Sequence, residues 1–260
     1  MRQTLVRTWG ALTVAAALAA CAEIEDRRPL TDGLTIAVPT VHYHDRSAWG
    51  FDAYPVIELQ AKEWYPNPCY YLEASVATKD NKIVISIGDA VYRDGICADV
   101  LTRAAAIVAI DTTRGRYQLS VVHGDSADHY GLNIYADRIQ LTPIATRFTE
   151  PTDSVWWKVP RHSFAVSCQY SEHQYAPLCA LIHDSVFGQP WLAPRERPQY
   201  GVWPYPPNAD VYIYRDESDF ATITRLLDGF PRAPIGQPAA VRIDIHNWRD
   251  RWYTARLQAE

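Results

Sequence analysis

Short runs in which hydrophobic and polar residues alternate recur along the chain, a pattern typical of half-buried β-strands. The clearest run holds Ile83, Ile85 and Ile87, and a similar run precedes it across Asp80-Asn81, two residues that favour a tight turn. The alternation predicts three hairpins, formed by residues 73–78 with 82–88, 104–110 with 117–122, and 132–135 with 139–141. Several short strands at this spacing favour a β-sandwich or a small barrel over residues 35–145.

The pattern changes after residue 145, where Pro143 and Pro151 flank a soft domain boundary. Beyond it, alternation predicts strands over residues 163–170, 178–186, 210–214, 241–246 and 252–257. Asp216 or Ser218 can cap a helix that runs to about Leu227, because apolar residues recur there at helical spacing. The chain is therefore predicted to be mainly β, with a sandwich at residues 35–145 and a smaller α+β domain with one main helix at residues 146–260.

One stretch of the predicted sandwich resembles a known family. The phrase Gly115-Arg116-Tyr117-Gln118-Leu119-Ser120-Val121 is similar to a late strand of the Ig-like modules found on bacterial surfaces. The resemblance implies that the sandwich of residues 35–145 is Ig-like.

The first 21 residues resemble the signal peptide of a bacterial lipoprotein. Arg2 and Arg7 precede an apolar run over residues 9–20 that is too short to span a bilayer, and Leu18-Ala19-Ala20-Cys21 closes the run as a lipobox does. The resemblance implies that residues 1–20 are removed and that the Cys21 thiol carries a diacylglycerol, which would tether the chain to a membrane. Ala22 in place of an aspartate favours the outer membrane by the sorting rule of enterobacterial lipoproteins. The alternative is an ordinary cleaved secretory signal.

The composition of the mature chain narrows the possible partners. About 240 residues remain after cleavage, enough for one large domain or two small ones. Without Arg2 and Arg7 the chain carries 23 basic and 30 acidic residues, a net charge of −7, and it has no basic patch with interleaved aromatics. We therefore expect no nucleic-acid partner. Residues 21–34 are charged and contain Pro29 and Gly33, which predicts a lipid-proximal linker.

The four cysteines after Cys21 fit an oxidising compartment. Three pairings are possible, and we favour Cys69 with Cys97 and Cys168 with Cys179, because this choice places one bridge in each half of the chain. The alternative is a four-thiolate metal site, which lacks the usual Cys-x-x-Cys spacing.

Two groups of histidines and carboxylates are candidate metal ligands. His42 and His44 stand two residues apart beside Asp45, so that a strand would place both imidazoles on one face. A second group lies in a predicted hairpin loop and contains His123, Asp125, Asp128 and His129. The simpler interpretation is that both groups are solvated loop residues and that the second is a turn.

A loop at residues 188–208 combines six prolines with large aromatic residues, and its proline density excludes regular structure. Flat aromatic faces on a stiff loop suit the binding of a sugar or a protein. The candidate contact residues are Trp191, Tyr200, Trp203 and Tyr205. The competing interpretation is that these side chains fold back and cover the core. Similarly, Arg242, Asp244 and His246 share a strand face that suits a solvated sheet surface better than an active site.

No catalytic signature is present in the sequence. It contains no Gly-x-Ser-x-Gly elbow, phosphate-cradling glycine loop, dinucleotide fingerprint or His-Glu-x-x-His motif. The leading hypothesis is a lipid-anchored, non-enzymatic protein of the outer membrane, without a cofactor, that binds a protein or glycan partner on the periplasmic or outer face. The alternative is a lipid-anchored hydrolase or metal-binding protein that uses the histidine groups.

Overall fold

The computed structural model describes residues 27–41, 54–93, 95–110, 112–234 and 236–258. Cys21 and the pair His42 and His44 therefore lie outside the described residues. Within the described ranges, no helix combines the length and the apolar character needed to cross a membrane.

The described residues form short elements in the following order. The strands are β1 (Arg27–Arg28), β2 (Leu34–Ala37), β3 (Thr40–Val41), β4 (Tyr54–Ala61), β5 (Tyr70–Lys79), β6 (Lys82–Tyr92), β7 (Ala105–Ala109), β8 (Gly115–His123), β9 (Ser126–Ile134), β10 (Arg138–Ala145), β11 (Thr149–Pro151), β12 (Val155–Trp157), β13 (Ser163–Tyr170), β14 (Ala193–Pro194), β15 (Asp210–Ile213), β16 (Val241–Asn247) and β17 (Trp252–Leu257). The helices are α1 (Ala176–Ile182) and α2 (Glu217–Asp228), with a 3-10 turn at His173–Tyr175 and a π-helical turn at His183–Phe187.

The first part of the chain is a β-sandwich. In the described residues, one sheet has the order β1-β6-β8-β9-β10-β12 with β5 on β6, and the other has the order β11-β2-β4-β3 with β7 on β4. Side chains from both sheets meet in one buried cluster, where Ile83 and Ile85 of the first sheet join Ile36 and Leu59 of the second. The alternation in the sequence therefore reports which face of each strand is turned inward.

The second part of the chain is a smaller α+β unit. Its sheet has the order β14-β15-β13-β16-β17. One face packs against α1, the π-helical turn and α2 around Phe164, which is fully buried. Asp216 caps α2 by accepting hydrogen bonds from the backbone amides of Ser218 and Asp219, as predicted. A mainly β chain with a sandwich and a small α+β part is thus confirmed.

Two of the three predicted hairpins are confirmed, and the third is wrong. Residues 70–79 pair with 82–92, and residues 126–134 pair with 138–145. Residues 104–110, however, do not pair with 117–122, because β7 joins β4 in the second sheet while β8 pairs with β9 and runs parallel to β6 in the first. The connection between β7 and β8 therefore crosses between sheets, and local alternation does not distinguish a crossing from a tight turn.

The predicted strand at residues 178–186 is also wrong, since this stretch forms α1 and the π-helical turn. Its buried side chains, Ile182 and Val186, stand four residues apart, which is a helical spacing. Pro177 in the first turn fits a helix start. The prediction failed because short apolar runs are ambiguous between a buried helix and a strand.

Both predicted disulfides are present. Cys69 and Cys97 join the start of β5 to the loop after β6, with their Cα atoms 5.9 Å apart. Cys168 and Cys179 join β13 to α1, with a Cα separation of 6.0 Å. The second bridge therefore links a strand to a helix and not two strands.

The sandwich extends beyond both limits drawn from the sequence. Arg27–Arg28 pairs with β6, although it lies within the predicted linker. Residues 149–151 join the second sheet beside β2, and residues 155–157 join the first sheet beside β10. The change from sandwich to α+β unit therefore falls between Trp157 and Ser163, later than the predicted boundary at residues 145–146.

Candidate functional site

The proline-rich loop attaches the α+β unit to the last strand of the sandwich. The amide of Trp157 donates to the carbonyl of Val202 at 2.9 Å, and the amide of Val202 donates to the carbonyl of Val155 at 2.8 Å. Gly201 has a positive φ of 81°, and a Cβ atom there would lie 2.7 Å from the Val155 carbonyl oxygen. Only glycine fits this close approach, so the loop is held against β12 by its backbone.

A cavity of about 300 Å³ lies at this junction. Pro39 and Thr40 reach it from the sandwich, and the loop and β16 close the other side. We call it the seam cavity, and it is lined by Pro39, Thr40, Trp156, Trp157, Val159, Val202, Trp203, Pro204, Tyr205, His246 and Asn247. Most of the wall is therefore aromatic or aliphatic, with a few polar atoms between.

Two residues of the lining each carry a buried polar atom that has no hydrogen-bond partner. The hydroxyl Oγ1 of Thr40 and the amide Nδ2 of Asn247 are both buried and unpartnered. The Oδ1 atom of Asn247 accepts from the backbone amides of Arg249 and Arg251 at 3.0 and 2.9 Å, which fixes the orientation of the side chain. Asn247 is in phase with Val241, Ile243 and Ile245, whose side chains face the helices, so its amide points away from the wall formed by Trp203 and Tyr205. An unsatisfied buried donor costs about 1–3 kcal/mol, so the Thr40 hydroxyl is the group of the cavity that is well suited to a ligand oxygen.

The remaining polar groups of the cavity are engaged with one another. The Tyr205 hydroxyl lies 2.7 Å from the Ser163 hydroxyl, which in turn donates to the Pro160 carbonyl at 2.5 Å. Burial raises the pKa of Tyr205 well above its usual value, so the phenol stays protonated and donates to Ser163. This serine hydroxyl is therefore already committed to two partners and is poorly placed to act as a nucleophile.

His246 is held at the edge of the cavity by two contacts. Its Nε2 atom lies 2.6 Å from an oxygen of Asp250, and its ring stacks on Trp252 at 4.2 Å between centroids, with an interplanar angle of 8°. On the same strand face Arg242 pairs with Asp244 at 2.8 Å. Each polar side chain on this face of β16 is thus engaged with a partner, and those of Asp244 and His246 are largely buried, unlike the solvated surface that the sequence predicts.

The four aromatic residues of the loop do not form one exposed surface. Trp203 and Tyr205 are buried against the sheet face opposite the helices, beside Ala165 and Val211. Trp191 is half-buried and packs on the core beneath α1 and α2. Tyr200 alone is well exposed, with its ring centroid 5.8 Å from that of Trp157. The interpretation that the loop covers the core therefore fits Trp203 and Tyr205, which also line the seam cavity.

The second group of candidate metal ligands is dispersed. Asp128 is fully buried, and its carboxylate accepts hydrogen bonds from the amides of Arg147, Phe148 and Thr149 and from the Thr149 hydroxyl. His129, the next residue on β9, points to the outer face, where its Nδ1 lies 3.0 Å from the Ser120 hydroxyl.

The other two members of that group are apart from this carboxylate. The Nδ1 atom of His123 lies 3.1 Å from the Ile87 carbonyl, and Asp125 is exposed in the turn beside Gly124. The described residues contain no group of three His, Cys, Asp or Glu side chains that could hold a metal ion. Successive strand residues face opposite sides of a sheet, and this separates Asp128 from His129.

Sequence reasoning missed Thr40, Trp156 and Asn247 as cavity residues. A signal was available for Asn247, which occupies the fourth inward position of β16 after Val241, Ile243 and Ile245. A polar residue at the end of an otherwise apolar series marks a buried amide that needs partners. Thr40 carries no such signal, since only the packing of the two units brings it to the cavity.

No protein-family model matches the chain, and no match was found among curated proteins or among solved structures.

Proposed function

We propose that the chain is a non-enzymatic lipoprotein, anchored through Cys21 to the outer membrane, and that its seam cavity binds one end of a glycan of the cell envelope. The observation that carries the binding part is the buried, unpartnered hydroxyl of Thr40 on an aromatic wall. The anchoring part is supported by the lipobox at residues 18–21.

A sugar suits this cavity better than an extended peptide does. Sugar rings present apolar faces that pack on aromatic side chains such as Trp157 and Trp203, and they carry hydroxyls that accept from Thr40. The volume of about 300 Å³ is at the lower end of the range for small-ligand sites. We therefore infer that a terminal sugar enters and that the rest of the glycan stays outside.

Replacing Thr40 by valine tests the cavity. We expect binding of a muramidase digest of peptidoglycan, or of soluble N-acetylglucosamine oligomers, to weaken by about tenfold, since one buried hydrogen bond is lost. The free energy of unfolding should stay level or rise, because the methyl group replaces a hydroxyl that has no partner in the free protein. Calorimetric titration and urea unfolding of the mature chain measure the two effects.

A control variant completes this test. Thr142→Val changes an exposed threonine of the sandwich and should leave binding unaltered. If the wild-type chain binds neither probe, or if Thr40→Val binds as tightly as wild type, the seam cavity is not a glycan site.

Cys21→Ser tests the anchor. Without the thiol there is no acceptor for the diacylglycerol, so the full-length variant should leave the membrane fraction, and its intact mass should lack the lipid. Fractionation of cells that produce the protein, followed by mass spectrometry, measures both. An unchanged membrane fraction and an unchanged mass would show that Cys21 is not acylated.

A metal-dependent activity is the alternative, and it has its own measurement. The described residues do not support a metal site, because they bring together no group of three possible ligands from His123, Asp125, Asp128 and His129. Zinc or copper that co-purifies with the mature chain and raises its melting temperature would favour this alternative, with His42 and His44 as the first ligands to replace.

A further inference from the structure

Large apolar side chains are exposed at one end of the sandwich. Ile96 is fully exposed, and Trp64, Val100 and Leu101 are each exposed by 60% or more. We call these residues the loop patch (Trp64, Ile96, Val100 and Leu101). Exposed apolar side chains that cluster in this way mark an interaction surface more often than scattered ones do.

The loop patch is held by covalent and backbone bonds. Cys97 lies inside the loop and is bridged to Cys69, and the amide of Arg93 donates to the Cys69 carbonyl at 3.0 Å. At the other end of the loop, the amide of Tyr65 donates to the Thr102 carbonyl at 2.7 Å, in an antiparallel bridge that places Trp64 opposite Arg103. The apolar side chains therefore lie on a constrained loop, and they remain exposed to solvent in the described structure.

The first described strand starts at this same end. Arg28 pairs with Ala90 and Arg27 pairs with Val91, so the described chain starts beside Val91, close to where the loop begins. The Arg28 guanidinium lies 4.9 Å from the centroid of the Tyr70 ring, which contacts Tyr65. Cys21 precedes Arg27 by six residues, and six residues reach at most about 20 Å. A lipid on Cys21 must therefore lie close to the end of the sandwich that carries the loop patch.

The charge around the patch is balanced. Within residues 93–103, Arg93 and Arg103 are offset by Asp94 and Asp99. The Arg103 guanidinium lies 4.8 Å from the centroid of the Trp64 ring, so this arginine borders the apolar surface. A surface of this kind favours insertion of apolar side chains between lipid headgroups over attraction to anionic lipid.

From these observations we propose that the loop patch docks on the lipid surface next to the anchor and fixes the orientation of the sandwich on the membrane. Ile96 and Leu101 enter the boundary between headgroups and acyl chains, Trp64 lies at the headgroup level, and Arg103 reaches toward lipid phosphates. The lipid supplies the attachment, and the patch supplies the orientation. The proposal rests on the lipid anchor at Cys21 and goes beyond it.

Vesicle binding of the mature chain without its lipid, residues 22–260, tests the docking directly. We expect it to sediment with vesicles of phosphatidylethanolamine and phosphatidylglycerol, and with vesicles of phosphatidylcholine alone, with little dependence on salt. Ile96→Ser combined with Leu101→Ser should weaken binding about a hundredfold, about tenfold for each apolar side chain kept from the membrane. The matched control is Ile144→Ser with Leu181→Ser, two aliphatic residues exposed elsewhere, which should bind as wild type does.

The outcomes separate this proposal from the anchor. If the wild-type chain does not sediment with either vesicle, or if both double variants bind equally, docking through the loop patch is refuted, whatever the intact mass shows for Cys21. Sedimentation velocity without vesicles supplies the remaining measurement. If the wild-type chain dimerises and the Ile96 and Leu101 variant does not, while vesicle binding is absent, the patch belongs to a second copy and the proposal is overturned. An equal circular dichroism spectrum in all variants shows that they are folded.

Discussion

Asp128→Asn is expected to destabilise the sandwich by about 3–5 kcal/mol, among the largest effects of any single polar substitution in the chain. The carboxylate accepts four hydrogen bonds from residues 147–149, and an asparagine would turn an amide donor toward those donors. This segment carries the chain from the first sheet to the second, because β10 belongs to one sheet and β11 to the other. The Phe148 carbonyl in turn accepts from the Leu34 amide at 2.7 Å. Losing the carboxylate therefore loosens the crossing that links the two sheets.

Urea unfolding at pH 7 measures this effect, and Asp125→Asn is the matched control. Asp125 lies in the same hairpin but is exposed in the turn, so its substitution should change the free energy of unfolding by less than about 0.5 kcal/mol. Equal effects of the two variants would mean that the buried hydrogen bonds of Asp128 contribute nothing to stability.

The same carboxylate makes a prediction for acid pH. Burial by itself would raise the pKa of Asp128, but the hydrogen bonds from Thr149, Arg147 and Phe148 together outweigh it, and the pKa lies below its ordinary value. A group with a lowered folded pKa stabilises the protein above its unfolded pKa of about 3.9, and that contribution is lost as the pH falls toward the folded pKa. The difference in unfolding free energy between wild type and Asp128→Asn should therefore shrink as the pH falls below about 4. A difference that stays constant from neutral to acid pH would contradict this account.

The alternation of inward and outward side chains along β9 made the burial of Asp128 predictable. The residue is in phase with Tyr130, Leu132 and Ile134, which are the inward side chains of that strand. Strand alternation alone thus predicts that Asp128 is buried while His129 is exposed. The hypothesis of a metal site placed these residues in a hairpin loop, where the alternation of a strand does not apply. The partners of the carboxylate lie about twenty residues away, so no local pattern identifies them.

The fold was predictable where its contacts are local in sequence. The strand pairs around Asp80-Asn81 and around residues 135–137, the cap of α2 and the alternation of β16 each depend on neighbouring residues. The parallel pairing of β6 with β8 and the passage of β7 into the other sheet depend on contacts that close long loops. Alternation along β7 is equally compatible with pairing to β4 or to β8, and for this reason the prediction of the second hairpin is wrong.

The candidate site is less predictable than the fold, for a similar reason. The seam cavity combines Thr40 of β3 with Trp156 and Asn247 from far along the chain. The sequence indicated that the proline-rich loop matters but not which of its aromatic residues face inward. Trp203 and Tyr205 face inward where the loop backbone is bonded to β12, a contact between residues far apart in the sequence.

Trp203→Ala is the second substitution for which we expect a large effect, with a loss of about 3–5 kcal/mol of unfolding free energy. The indole is buried against Ala165, Val211 and Tyr205, so its removal leaves a large void in this cluster. The same substitution removes part of the cavity wall, so binding of the peptidoglycan digest should fall below detection.

Tyr200→Ala is the matched control, because it removes an aromatic ring from the same loop. The ring is 60% exposed, and the bond that fixes this part of the loop is donated by the Trp157 indole to the Tyr200 backbone carbonyl at 2.8 Å, which alanine retains. We expect a change of less than about 1 kcal/mol and unaltered binding. Urea unfolding and calorimetric titration of the two variants therefore distinguish two roles for the loop. If Tyr200→Ala abolishes binding while Trp203→Ala retains it, the exposed outer surface of the loop makes the contact, and the seam cavity is a packing feature of the junction.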